Sequence, residues 1–168
     1  METIAVYKEE RVKVYTITEK ADLALALLRF PANKTEQWGL HIDSFAAHTK
    51  RFELVTCHAS DKARTELHLL LEQNDSNELS DTLSELIKDE PNTAFTLKQP
   101  VNILYLFGPH FQDRYGIVDI AFNALLKNGI DILVSGCAGT SMYFVTSKSQ
   151  SGKGLKVLTD TFLIPTTI

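Results

Sequence analysis

The stretch VNILYLFGPHFQDRYGIVDIAFNALLKNGIDILVSGCAGTSMYFVTS, residues 101–147, decides the fold. Its first seven residues, 101–107, are a continuous apolar run of strand length. GPHFQDRYG at 108–116 then reads as a loop. From Ile117 the apolar period changes to that of a helix: Ile117, Ile120, Ala121, Ala124, Leu125 and Asn128 follow the i, i+3, i+4, i+7 stripe, and Gly129 supplies a C-terminal stop. IDILVS at 130–135 and SMYFVTS at 141–147 read as strands joined by Gly136-Cys137-Ala138-Gly139. A further helix, GLKVLTDTF at 154–162, places Leu155, Leu158 and Phe162 on one face and stops at Ile164-Pro165.

The upstream half carries the same order. RVKVYTIT at 11–18 alternates as a strand, and the charged turn Glu19-Lys20-Ala21-Asp22 separates it from LALALLRFP at 23–31, read as a second strand with a helix as the alternative that its Leu and Ala content allows. EQWGLHIDSFAAHT at 36–49 puts Trp38, Ile42, Phe45, Ala46 and Thr49 on one helical stripe, with Thr35 as its cap. RFELVTCHA at 51–59 and ARTELHLLLEQ at 63–73 alternate as strands. NDSNELS is a loop, and DTLSELIKD at 81–89 is a short helix ended by Pro91. The halves also match residue by residue. Trp38-Gly39-Leu40 aligns with Tyr115-Gly116-Ile117 at an offset of 77, which also brings Phe30 to Phe107 and Phe45 to Phe122. An internal duplication of strand, helix, strand, strand, helix predicts the split βαβ arrangement twice over. Half a chain buries little of its own surface, so the two sheets are expected to associate.

The run Gly108-Pro109-His110-Phe111-Gln112-Asp113-Arg114-Tyr115-Gly116-Ile117, followed by Asn128-Gly129-Ile130-Asp131-Ile132, resembles the signature of the ACT domain. Ser135-Gly136-Cys137-Ala138-Gly139 resembles the small-residue turn of the aspartate kinase members of that family. The resemblance covers 101–163 directly and 23–90 through the internal repeat, and residues 1–22 resemble the strand that precedes the paired domains. It implies an α+β protein of two ferredoxin-like βαββαβ repeats, with antiparallel sheets and helices on one face. Residues 21–98 form a degenerate first repeat and 99–168 a second, completed by the strand segment 1–20. With 168 residues there is no room for a kinase catalytic domain.

The loop carries the expected chemistry. Gly116 lacks a Cβ, so a ligand can approach the backbone closely. Unpaired N–H groups at the start of the following helix favour an anion such as an α-carboxylate. Asp113 and Asp131 are candidates for an α-ammonium, and backbone near Ser135 and Gly136 adds hydrogen bonds. The candidate ligand site comprises Gly108, His110, Asp113, Arg114, Tyr115, Gly116, Ile117, Asp131, Ile132, Ser135 and Gly136. The matching loop of the first repeat, Pro31–Gly39, keeps its glycine and is otherwise built of different, polar residues, so that repeat is expected to keep a packing role, with Trp38 in the core.

Other chemistry is thin. The five histidines form no H-x-x-x-H pair, and no C-x-x-C exists, so no metal site is expected. Ser151-Gly152-Lys153-Gly154 lacks the phosphate-loop frame. Leu133-Val134-Ser135-Gly136 lacks the first glycine of a nucleophile elbow. A small enzyme would have only His110, Asp113 and Cys137 to use. Cys57 and Cys137 lie in apolar runs and read as buried free thiols. A net charge of −4 and a pI near 5.7 argue against nucleic acid. No apolar run is long enough to span a membrane, and the N-terminus lacks a signal-peptide core. The expectation is a cytoplasmic, non-catalytic regulator without cofactor. It senses an amino acid, forms a homodimer through its sheets, and acts on an enzyme partner; the alternative is a docking subunit with no ligand of its own.

Overall fold

A computed structural model describes residues 11–46, 51–60, 63–108 and 116–165. Six strands and four α-helices follow in the order β1 (Thr16–Pro31), α1 (Thr35–Ala46), β2 (Phe52–Ala59), β3 (Arg64–Glu72), α2 (Ser76–Ile87), β4 (Ala94–Phe107), α3 (Ile117–Lys127), β5 (Val134–Ala138), β6 (Ser141–Ser147) and α4 (Lys148–Thr161). The protein is α+β, and it divides into two compact units. The first is Lys20–Asn102; the second joins Met1–Glu19 to Ile103–Ile168.

In the first unit the strands lie in the order β2-β3-β1-β4, the ferredoxin-like arrangement of a βαββαβ chain. β1 and β3 run antiparallel with Leu28 opposite Leu67 and Ala24 opposite Leu71. Alternation sends Ala24, Ala26, Leu28 and Phe30 of β1 to the same side as Leu67, Leu69 and Leu71 of β3. There they meet Trp38 and Phe45 of α1 and Leu79 and Leu83 of α2 in one buried core. Both helices therefore cover one face of the sheet.

The second unit repeats the plan with a different chain order. Its strands β4, β6 and β5 are neighbours, and β5 pairs antiparallel with β6. The N-terminal segment lies beside β4, with the Tyr15 N–H donating to the Phe107 carbonyl at 2.7 Å. That segment is also tied to the end of the unit by Val14 N–H to Leu163 O and Leu163 N–H to Val12 O, both 2.9 Å. Val14 joins Leu104, Leu106, Ile117, Ala121, Leu125, Met142, Phe144 and Leu158 in the core.

Helix α3 shows how local chemistry sets the second unit. Gly116 opens it at φ 86°, and Gly129 follows its C-cap Asn128 at φ 69°. The Ile130 N–H reaches Leu125 O at 3.1 Å and the Gly129 N–H reaches Leu126 O at 2.9 Å. These are the paired bonds of a Schellman stop. Its accompanying apolar contact is made by Leu125 and Ile130, both buried in the core.

Several expected boundaries move. The charged residues 19–22 do not break the chain, because β1 runs through them. The Lys20 ammonium is held by Glu53 at 2.7 Å and Glu72 at 2.8 Å, and the Asp22 N–H donates to Asn102 Oδ1 at 3.2 Å while Asp22 takes φ 59°. β4 starts at Ala94, seven residues before the apolar run, with Phe95 and Leu97 turned to the first unit's core. The expected loop at 74–80 is largely helix: α2 begins at Ser76, whose Oγ donates to Gln73 O at 2.6 Å, and Leu79 is wholly buried. α4 begins at Lys148, six residues before the sequence places it. The run Ser151–Gly154 is poor helix former, yet packing favours it. A Cβ on Gly154 would stand 3.0 Å from Leu104 Cδ1, so the glycine lets α4 lie close on β4. Thr49 lies outside the described residues. Both cysteines are exposed, against the expectation of buried thiols, because each falls on an outward or open position of its strand.

Candidate functional site

The described part of the expected loop site is built on the second unit. Gly108 is buried at the end of β4 and its N–H donates to Thr140 O at 2.9 Å, which ties the end of β4 to the β5–β6 turn. Gly116 takes the left-handed conformation that only glycine adopts without strain. The N-cap residue Gly116 has no side chain to cap α3, and its carbonyl accepts the Ile120 N–H at 2.9 Å. Ile117 offers backbone alone, since its side chain is in the core. His110, Asp113, Arg114 and Tyr115 lie outside the described residues.

The segment before β5 is held by its neighbours. Asp131 precedes β5, which starts at Val134 and not at residue 130. The Asp131 N–H donates to Gln150 Oε1 at 3.0 Å, and its carbonyl accepts the Thr146 hydroxyl at 2.8 Å. The Gln150 amide donates to Gly129 O at 3.2 Å. This leaves the exposed Asp131 side chain on a fixed backbone. Ser135 and Gly136 are strand residues opposite Phe144 and Tyr143; the turn falls at Gly139, φ 58°, and Thr140. Tyr143 lies over Gly136, its hydroxyl filling the place where a Cβ would stand. Burial raises the Tyr143 phenol above its ordinary value, so it is a neutral donor at that position.

The first unit carries features that sequence reasoning passed over. A cavity of about 250 Å³ opens between α1 and β2, walled by Phe30, Trp38, Ile42, Val55 and Leu67, with Thr35, Gly39 and Cys57. Gly39 does not open its helix as Gly116 does; it lies inside α1. Trp38 is core, as expected, at 1% exposure, stacked on Phe30 with centroids 5.6 Å apart. A signal was available: Val55 and Cys57 alternate onto one side of β2, the side that the Trp38 stripe of α1 meets. A second cavity of about 260 Å³ lies between α1 and α2, lined by His41, Ser44, Phe45, Glu78, Thr82 and Leu86.

On the opposite face of the same sheet His58 and His68 stack, centroids 5.2 Å apart and planes at 12°. His58 Nε2 stands 3.4 Å from Glu66 Oε2. Glu66 accepts from Arg29 Nε at 2.8 Å and Ser60 Oγ at 3.1 Å, and the Arg29 bond first of all lowers its carboxyl. His68 is buried with Nδ1 unpartnered. Burial, then the charge of His58, pushes its pKa below the ordinary value. The unfolded chain therefore takes up a proton at His68 before the folded one does, and stability falls as pH drops below about 6.5. Between pH 7.5 and 5 the unfolding midpoint should drop more in the native chain than in His68→Leu. Equal drops would remove His68 from the account. Among the described residues no group of three or more His, Cys, Asp or Glu is placed to hold a metal, and no helix is long and apolar enough to cross a membrane.

The architecture is one that solved regulatory subunits of aspartate kinase share. No protein-family model matches the chain, and no curated protein matches it. The likeness is structural. The ligand-free regulatory subunit of aspartate kinase from Thermus thermophilus matches 89% of this chain over 99% of its own, at TM-score 0.77 and 11% identity. Aspartate kinase from Synechocystis matches 95% of this chain at TM-score 0.80 and 15% identity, over 29% of its own length. Aspartokinase III of E. coli, in complex with lysine and aspartate, matches 92% of this chain over 34% of its own, at TM-score 0.61 and 16% identity. The chain thus has the fold of the aspartate kinase regulatory region, with or without a kinase domain attached.

Proposed function

We propose that this protein is a non-catalytic regulator that binds an amino acid and acts allosterically on a separate enzyme, with an aspartate kinase as the favoured partner. The observation that carries this is the match to a regulatory subunit across 99% of that subunit's length. A complex of the same fold with lysine and aspartate supports the ligand class.

The site is the loop from Gly108 to Ile117 with Asp131 facing it. The α-carboxylate takes the N–H groups opening α3, whose N-cap Gly116 has no side chain to cap them. Asp113 and Asp131 take the α-ammonium. The units act as two ACT-type domains, 21–98 and 99–168 with 1–20, and pair with a second copy as a cytoplasmic homodimer. Regulation follows because ligand binds one assembly state better than another, a coupling of about 1–3 kcal/mol. The rival reading is a docking subunit without a ligand. It is favoured only in the first unit, where the matching glycine, Gly39, lies inside α1 and opens no helix.

Thermal unfolding of the full chain with each of the twenty amino acids at millimolar concentration tests the proposal. One or a few should raise the midpoint, and Asp113→Ala should abolish the rise. A flat response to all twenty would leave the docking reading in its place.

A further inference from the structure

We infer that Gln150 and Thr146 are positioning residues of the amino-acid site: they hold the backbone of Asp131 so that its carboxylate stands ready for a ligand's α-ammonium. Their role rests on Asp131 as the partner of that ammonium, and it extends the site to β6 and α4.

Asp131 lies where no regular element supports it. α3 ends at Lys127, and β5 begins only at Val134. The ladder toward β6 reaches Leu133, whose N–H donates to Val145 O at 2.8 Å, and stops short of Asp131. Side chains take over there. Gln150 Oε1 accepts the Asp131 N–H at 3.0 Å, and the Thr146 hydroxyl donates to the Asp131 carbonyl at 2.8 Å. The other end of the same amide, Gln150 Nε2, donates to Gly129 O at 3.2 Å. Gln150 thus grips the peptide on each side of Ile130, which is itself buried in the core. Only an amide can do so, because it accepts with one atom and donates with the other. Thr146 Oγ1 also stands 3.4 Å from Gln150 Oε1, so the two supports meet.

Ending α3 does not require these bonds. The Schellman stop is already closed by the N–H groups of Gly129 and Ile130. The further bonds converge on Asp131, which is exposed. Their sources are rigid: Thr146 is wholly buried, and Gln150 sits in the first turn of α4. A carboxylate on unheld backbone has to be ordered when its ligand arrives, and that cost is subtracted from affinity. One fixed by packed supports is ordered beforehand.

Gln150→Met keeps length and helix preference and loses both bonds. Thr146→Val keeps the branched shape and loses the hydroxyl, whereas Thr146→Ser keeps the hydroxyl. Calorimetry on the full chain measures binding of each of the twenty amino acids. For any that binds, it also measures the acid lacking the α-amino group, such as succinate for aspartate or 6-aminohexanoate for lysine. Gln150→Met and Thr146→Val should each weaken amino-acid binding about tenfold and leave binding of the deaminated acid unchanged. Thr146→Ser should bind as the native chain does. With Asp131→Asn already in place, neither substitution should weaken binding further. Gln150 is only half-buried, so its variant decides the matter even where Thr146→Val fails to fold. Equal losses for an amino acid and its deaminated acid would overturn the role in favour of a structural one. A loss in Asp131→Asn with native binding in Gln150→Met and Thr146→Val would overturn the role and leave Asp131 in the site. No binding of any amino acid to the native chain would overturn both.

Discussion

Replacing Trp38 with alanine should lower the unfolding free energy by about 3–5 kcal/mol, toward the upper end of that range. The side chain is 1% exposed, stacks on Phe30 and meets His41 edge-on at 5.4 Å. Truncation removes a large apolar surface and also joins the new space to the 250 Å³ cavity beside it. The walls cannot collapse into so large a void, and cost rises with residual cavity volume. Urea unfolding followed by far-ultraviolet circular dichroism measures it. A loss under about 1 kcal/mol would be a surface value and would contradict the place of Trp38 in the core. Trp38 is the chain's one tryptophan, so fluorescence in the native chain reports on the first unit alone.

The matching result in the second unit is a loss of about 2–5 kcal/mol for Leu125→Ala. Leu125 is wholly buried among Leu104, Ile130 and Leu158. It also supplies the carbonyl and the apolar contact of the stop that ends α3, so the truncation loosens the helix end and the core together. Gly154 adds to this, because a Cβ built there would lie 3.7 Å from Leu125 Cδ2; α4 and α3 share that contact. Urea unfolding again reads the effect. A change within experimental error would mean that α3 packs by another face.

Both cores could be read from periodicity. The Trp38 and Ile117 stripes and the alternating Leu67, Leu69 and Leu71 gave helices and strands where they occur, and the repeat gave their order. The errors fall where tertiary contacts outweigh local preference. Residues 148–153 are weak helix formers held by packing at Ser151 and Gly154. Residues 19–22 look like a turn, yet Glu53, Glu72 and Asn102, far away in sequence, keep them in β1. Only Phe95 and Leu97 mark the early part of β4, too few for an alternation to stand out. The two ends of α3 were legible: Gly116, which opens it, and Gly129, which follows its C-cap, both take positive φ. The cavity at Trp38 was not, because it depends on which side of β2 faces α1 and on a gap, and a gap has no residue to announce it.

Ligand binding is the centre of this account, and equilibrium dialysis tests it without assuming a site. The full chain at about 1 mM, a concentration able to hold ligands with dissociation constants up to the millimolar range, is dialysed against an equimolar mixture of the twenty amino acids. The account predicts that one or a few are enriched on the protein side in proportion to the chain. Equal concentrations of all twenty on both sides would contradict it.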